Sequence, residues 1–457
     1  MPQRFCSVER NLPHWLTAVD SDAIAGSGKE LNMNRVLTLA EYEIRRRLRN
    51  RAFLAACLVL CGAFSLSLWL SAVRYEALTR EGVKATKIVR FTLAEIPANP
   101  MSIFSSSLND ILYAPYDVGF PVYSIRAVSS DNNVNPFLRT YEKPDPLFVL
   151  VGLGSLFALL ASCDVFSGER ESKRIGLLLA SCECHAPLLW GKILGSFIAV
   201  LAPAVVCWLV SLVAVCFVGG GWRQFAPVSS VFGLFVLYLA VYTLMGAGIS
   251  AGSHTTSAST AKVLCIWIVT VMLVPLLSAS AAQRLYQIPS AQQVEADVAR
   301  QRTENQNLAN FEAAKLPPDN HAAFANLYGH YEGLTSNFIY DRELEYQAQL
   351  QKELQAALWL ERISPASCLR LAAMRSTHTS FSDLIDYRVA VLRFKLDLAR
   401  YVLRVRSEQK KLGADIPVFV QRPPADVVSW PEILILMFYG GSALLLSWNR
   451  VSRFTAE

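Results

Sequence analysis

The chain has 457 residues, 53% of them hydrophobic and only 18% charged, with 43 basic against 37 acidic side chains and a formal charge of +6. A soluble chain carries about 25% charged residues; here the deficit is gathered into six charge-free stretches, most reaching the ~20 residues that a ~30 Å hydrocarbon layer requires. Disordered, collagen-like and disulfide-scaffold chains are excluded, no continuous basic face points to nucleic acid, and the prediction is an all-α polytopic membrane protein with six transmembrane helices.

In chain order, residues 1–32 form a polar tail, expected to be disordered, with Met33 a second candidate start. The tail lacks the apolar core of ~7 residues that a signal peptide needs. Its Walker-like string Ala25-Gly26-Ser27-Gly28-Lys29-Glu30 has no glycine at position 23 and no Ser or Thr after Lys29, so it reads as flexible tail. Residues 33–51 read as an amphipathic helix in the cytoplasmic headgroup layer: Leu37, Ala40, Ile44 and Leu48 recur at helical spacing while Arg45, Arg46 and Arg49 take other faces. The first span is 52–73. The loop 74–146 is rich in Pro, Gly, Asn and Ser with β-like pieces at 87–92 and 121–125, and is expected to form a small α+β outer lobe.

The second span, 147–163, leads into a cytoplasmic segment, 164–192, and then spans at 193–221, 228–251 and 263–283. Gly191-x-x-x-Gly195 and Gly248-x-x-x-Gly252 permit close helix approach, within or between subunits. Residues 284–432 read as a larger helical outer domain, with helices at 291–315, 341–362 and 383–409, the last capped by Ser382. Leu384, Tyr387, Val391, Phe394, Leu398 and Tyr401 mark its core face. The last span is 433–449 and the tail 450–457.

Basic residues flanking a span are retained in the cytoplasm. The run of arginines at 45–51, then Arg170, Lys173, Arg174, Lys192, Lys262, Arg450 and Arg453 fall on one side if both termini are cytoplasmic, which places 74–146 and 284–432 outside. Of ten cysteines only Cys368 is then outside, so no disulfide is expected there. The charge-free spans hold no ionisable group of the kind an ion-coupled transporter needs, and no His-Glu-x-x-His occurs. Cys182-Glu183-Cys184-His185 lacks the distant second pair of a zinc site. No catalytic, metal or cofactor residue is therefore assigned.

The informative cytoplasmic stretch is Asp164-Val165-Phe166-Ser167-Gly168-Glu169-Arg170-Glu171, then Ile175-Gly176-Leu177-Leu178-Leu179-Ala180-Ser181 and Leu188-Leu189-Trp190-Gly191-Lys192. Read from the residues, Glu169 and Lys173 can pair four apart, while Ile175, Leu178 and Leu179 form an apolar stripe, so the segment can present a rigid knob to a cytoplasmic partner. An ordinary amphipathic connector is the plain alternative. The stretch resembles the signature linking spans two and three in permease subunits of the ABC-2 class of ABC transporters. Asn99-Pro100-Met101-Ser102-Ile103-Phe104, Leu108-Asn109-Asp110, Ile363-Ser364-Pro365-Ala366 and 383–388 resemble a subgroup with enlarged outer loops. The chain departs from the family pattern at Lys173-Arg174, where the family has Gly-Thr, at Cys182, where it has proline, and at His185, where it has arginine.

The resemblance implies a permease in a bacterial inner membrane, paired with an identical or homologous second permease and driven by a cytoplasmic ABC ATPase that carries the ATP and magnesium. Gly168, Glu169, Arg170, Glu171, Ile175, Leu178 and Leu179 would dock that ATPase, and the function would be export or extraction. Two other functions stay open. A mechanotransmitter would relay ATP-driven motion to an external protein partner, and a scaffold would have no energy coupling.

Overall fold

The computed structural model describes residues 21–88, 93–94, 96, 98–106, 108–113, 116–117, 126–127, 145–176, 185–219, 221–286, 288–408, 416–419 and 429–453. Among the described residues six helices are long and apolar enough to cross a membrane: Arg51–Arg80, Pro146–Glu171, His185–Phe217, Trp222–Ala251, Thr256–Leu285 and Trp430–Val451, spans one to six below. With an even number of spans, the start of span one and the end of span six lie at one end of the bundle, the basic end, and the described parts of the two long loops at the other, the loop end. Every span begins before its charge-free stretch, and span three ends at Phe217, four residues short of the end of its stretch.

The leading helix begins at Ser21 and ends at Leu48, so residues 21–32 continue a helix where a disordered tail is expected, and residues 25–30 are helical rather than a phosphate loop. It packs along the basic end of span three. A Cβ on Gly195 would lie 2.6 Å from the Ala40 carbonyl oxygen, and one on Gly191 would lie 2.6 Å from Leu39 Cβ. Only glycine admits this crossing. The second glycine pair is used within the chain too: Gly248 faces Ser447 and Gly252 faces Arg450, both of span six.

Span four is the axis of the bundle. Phe232, Phe235, Tyr238 and Tyr242 are all buried along it, with successive rings packed at 6.1, 6.4 and 4.7 Å. Spans two and five each contain a π-helical turn, Leu150–Gly154 and Ile268–Leu273. Such a turn frees backbone carbonyls from the i→i−4 ladder, and in an apolar interior these need donors. Tyr238 donates its hydroxyl to Val151 O (2.8 Å), Trp267 donates Nε1 to Gly152 O (3.1 Å), and Ser364 donates its hydroxyl to Thr270 O.

In the first loop, span one's helix continues to Ile88, so Lys87 and Ile88 are helical where a β-like piece is expected. The piece at 121–125 lies outside the described residues. Three two-residue strands, Leu93–Ala94, Tyr116–Asp117 and Arg126–Ala127, pair antiparallel with the middle one central. This ladder is too small to establish a separate α+β lobe. Met101, Ile103, Phe104 and Leu108 are instead buried in the membrane core, with Phe104 edge-on to Phe232 at 6.4 Å. Ile111, Leu112 and Tyr113 join Leu384, Tyr387, Val391, Phe394 and Leu398 of the second loop in one cluster, so the two loops share a core.

The second loop contains helices Ala291–Ala313, His321–Glu361, Pro365–Ser376 and Phe381–Ser407. The 41-residue helix starts twenty residues before the expected 341: it runs unbroken through Gly329 and Gly333, which suggest a break, beside Leu403 of Phe381–Ser407. Ser380 rather than Ser382 caps Phe381–Ser407, its hydroxyl and backbone N–H both donating to Asp383 Oδ2 (2.6 and 2.9 Å).

Pro365–Ser376, which the sequence does not announce, is inserted in the bundle. All residues from Pro365 to Met374 are buried. Ser364 meets Thr270, halfway along span five, and the Tyr439 hydroxyl, midway along span six, donates to Ile363 O. The loop therefore dips to the middle of the bundle and returns, and does not stand wholly clear of the bilayer. Cys368, expected to be outside, has 0% exposure. The inserted charges are paired: Arg362 donates Nε and Nη2 to Glu432 Oε1 (3.0 and 2.7 Å), Arg375 lies 3.5 Å from Glu432 Oε2, and Arg370 pairs with Glu361.

Candidate docking site and the charge cluster behind it

At the basic end span two turns at 163–166 and ends in the short helix Ser167–Glu171. Ser250 of span four fixes this turn by accepting from the Phe166 and Ser167 N–H groups with its hydroxyl oxygen (3.0 and 2.9 Å). Ser167 and Ser259 donate their hydroxyls to Cys163 O (2.9 and 2.6 Å). Each of the three acidic or basic residues that follow ties the helix to another element. Glu169 accepts from Lys192 Nζ of span three (2.9 Å) and lies 3.5 Å from Arg46 of the leading helix. Arg170 donates to Ser253 O (3.2 Å). Glu171 accepts from the N–H and hydroxyl of Thr256 (2.9 and 2.7 Å), which neutralises exposed donors at the start of span five.

Behind this helix sits a cluster of six charges. Asp164 binds Arg46 (2.9 Å) and Arg47 (2.8 Å); Glu43 lies 3.5 Å from Arg46, 3.0 Å from Arg47 and 3.6 Å from Lys192. Lys192 is 1% and Glu43 0% exposed. Three acids, Glu43, Asp164 and Glu169, balance three bases, Arg46, Arg47 and Lys192, so the cluster is neutral and can be buried. Burial acts against the charge of Arg46, but Glu43, Asp164 and Glu169 outweigh it and hold the guanidinium above its ordinary range.

These distances correct two sequence expectations. Glu169 does not pair with Lys173: the helix ends at Glu171, and Lys173 turns away with φ 54°. Glu169 is also buried, so it is a strut inside the protein rather than an exposed anchor. The face left for a partner holds Glu171, Ser172, Lys173 and Arg174, all exposed, with Gly168, Arg170 and Ile175 half-buried beside it. Leu178 and Leu179 lie outside the described residues. Arg45 and Arg49 are exposed on the leading helix, apart from the cluster that takes Arg46. Among the described residues no group of three or more His, Cys, Asp or Glu could hold a metal. Sequence reasoning missed Glu43, Arg47 and Asp164 as members; the signal available was the placement of carboxylates beside arginines at the ends of two apolar runs.

A second feature lies toward the loop end. A cavity of about 440 Å³ opens between spans two and five against the inserted helix, walled by Leu147, Val151, Trp267, Val271, Pro275 and Met374. Ser105, Asp145, Ser367 and Arg370 are its polar members, and the Ser367 hydroxyl is buried without a hydrogen-bond partner. Its mouth lies beside exposed Phe148, Met272 and Leu276.

The family model described as ABC-2 family transporter protein matches residues 37–396, most of the chain. The match begins in the leading helix and takes in the first five spans, the short helix and the inserted helix. The chain belongs to the ABC-2 transporter family. It is thus a permease subunit of an ABC transporter, a membrane component of a family that is not itself catalytic and that implies association with an ATPase subunit. No curated protein is matched in sequence. In this permease the signature Ser-Gly-Glu-Arg-Glu knits the leading helix and spans two to five into one unit at the basic end.

Proposed function

We infer that a separate cytoplasmic ATPase docks on the face formed by Glu171, Lys173, Arg174 and Ile175, and that its closure on ATP moves the leading helix and spans two, three and five together. The observation that carries this reading is the attachment of one short helix to the leading helix and to spans three, four and five through Glu169, Arg170, Ser167 and Glu171. A load applied there reaches the bundle without passing through a flexible loop. Sidedness follows from the arginines at 45–51: both termini cytoplasmic, both long loops outside, in a bacterial inner membrane. A second permease, identical or homologous, completes the transporter.

The substrate class is amphipathic, exported or extracted through the cavity between spans two and five, whose apolar wall and few polar groups suit a hydrocarbon body with a polar head. One observation favours mechanotransmission as the second reading. The 41-residue helix, roughly 60 Å long, continues directly into the inserted helix between spans, so bundle motion would be levered outward to an external partner. Co-purification tests docking: wild type should retain an ATPase, whereas Glu171→Lys with Lys173→Glu should lose it while still inserting. Full retention in the double variant would refute the docking face. Filling the cavity with Val271→Trp should abolish transport if substrate passes there; activity at an external partner unaffected by Val271→Trp would favour the lever.

A further inference from the structure

Spans one and two do not close on each other at the basic end. Between them runs a groove of about 360 Å³ whose floor is Phe53, Leu60, Phe157 and Ala161 and whose rims are Ala56, Val59, Leu153 and Leu160. The floor is buried, with Phe53 and Phe157 packed at 5.3 Å, while Val59, Leu153 and Leu160 stand exposed toward the bilayer. Alanines at 52, 56 and 161 leave the furrow unfilled. From Asn50 to Leu60 it runs roughly 15 Å, the hydrocarbon thickness of one leaflet of a ~30 Å layer.

The basic end of the groove is polar, and the charges that line it are of both signs. Arg47, Asn50 and Asp164 line it. Arg47 is 7% exposed, and although one guanidinium nitrogen binds Glu43 and Asp164, its Nε is buried without a hydrogen-bond partner. Asp164 faces the groove with its charge already met by Arg46 and Arg47. Asn50 caps span one by accepting from Ala52 N–H (3.0 Å), and Arg49 and Arg51 stand exposed on either side of it. The surroundings therefore combine an apolar trough one leaflet deep with cationic side chains at headgroup level.

We propose that this groove is a specific site for one anionic phospholipid, with an acyl chain in the Phe53–Phe157 furrow and the phosphate held at Asn50 among Arg47, Arg49 and Arg51. The occupant is a lipid rather than a protein segment because the trough ends at a charge cluster that a transmembrane helix of a second copy would have to bury, whereas a headgroup remains in its own layer. The site meets the cavity between spans two and five at one shared lining residue, Leu153, and adjoins the neutral cluster through Arg47 and Asp164, so the lipid would brace the leading helix against span two.

The test uses the full chain in detergent, incubated with equimolar phosphatidylglycerol and phosphatidylcholine and read by native mass spectrometry and thermal melting. Wild type should retain phosphatidylglycerol several-fold over phosphatidylcholine. Asn50→Asp keeps the helix cap while adding a negative charge, and should bring that ratio to about one. Leu160→Trp fills the trough and should lose both lipids, whereas Leu446→Trp on exposed span six should change nothing. The proposal is overturned if wild type shows no preference, or if both Asn50→Asp and Leu160→Trp keep it. It is overturned equally if inorganic phosphate alone raises the melting temperature as much as phosphatidylglycerol, which would make this a simple anion site. Loss of dimer in Leu160→Trp with lipid binding unchanged would give the groove to a second copy instead.

Discussion

Neutralising Glu169 and Lys192 together should do far less damage than neutralising either alone. In Glu169→Gln, Lys192 keeps the Val165 carbonyl at 3.2 Å and one carboxylate, Glu43, at 3.6 Å, and the cluster then carries one excess positive charge at a site where Lys192 is 1% exposed. Leaving one buried partner unpaired costs about 3–5 kcal/mol. Lys192→Met leaves an excess negative charge and should cost a similar amount. The double variant restores neutrality with two acids facing two arginines, so its loss should fall short of the sum of the singles by at least ~2 kcal/mol, a coupling of the size seen within one ion network. Equilibrium unfolding in mixed micelles, followed by tryptophan fluorescence, measures all four corners of the cycle. Additivity to within ~0.5 kcal/mol would refute the cluster as a cooperative unit.

Lys395 offers a pH test outside the spans. Burial, opposed by Glu343, lowers its pKa to about 8. The folded state therefore binds this proton more weakly than the unfolded chain, and the outer helices gain stability as pH rises from below 8 toward 10.5, a total of about 3 kcal/mol at 1.36 kcal/mol per tenfold; Lys395→Met should be stabilised at pH 7 and lose most of that dependence. Lys173 occupies a left-handed position, φ 54°, that glycine takes without strain, so Lys173→Gly should raise stability by about 1 kcal/mol in the same unfolding assay. Gly195→Ala should separate the leading helix from span three at ~1–3 kcal/mol because its Cβ meets backbone, whereas Gly252→Ala should be mild because it meets only the Arg450 side chain. For topology, an impermeant thiol reagent on intact cells should label Glu345→Cys, should reach Arg174→Cys only after permeabilisation, and should leave Cys368 unlabelled in both cases; labelling of Arg174→Cys in intact cells would reverse the orientation.

The apolar stretches made the six spans legible because hydrocarbon tolerates few alternatives, and the helical spacing of Phe381–Ser407 marked its core face from Leu384 to Leu398, while Tyr401 is only half-buried and lies outside that cluster. What was not legible depends on partners distant in sequence. Lys192 looked like a boundary residue until Glu43, 149 positions earlier, and Glu169 neutralised it, and Asp164 meets Arg47 across 117 positions. The inserted helix escaped because twelve residues with Ser, Cys and two Arg are neither long nor apolar enough to signal a buried segment; Glu361 and Glu432 supply what its arginines need. The glycine pairs were visible as permission for close approach, but their partners, Ala40 and Arg450, were not.

The balance of three positive against three negative side chains also has an electrical meaning. Moving one unit charge across a polarised bilayer takes about 2.3 kcal/mol per 100 mV. A buried knot of zero net charge does no such work when it shifts, so under the proposed docking the leading helix and the end of span two would move without the membrane potential aiding or opposing them through these six residues. Any variant that unbalances the knot would make the stroke voltage-sensitive as well as less stable.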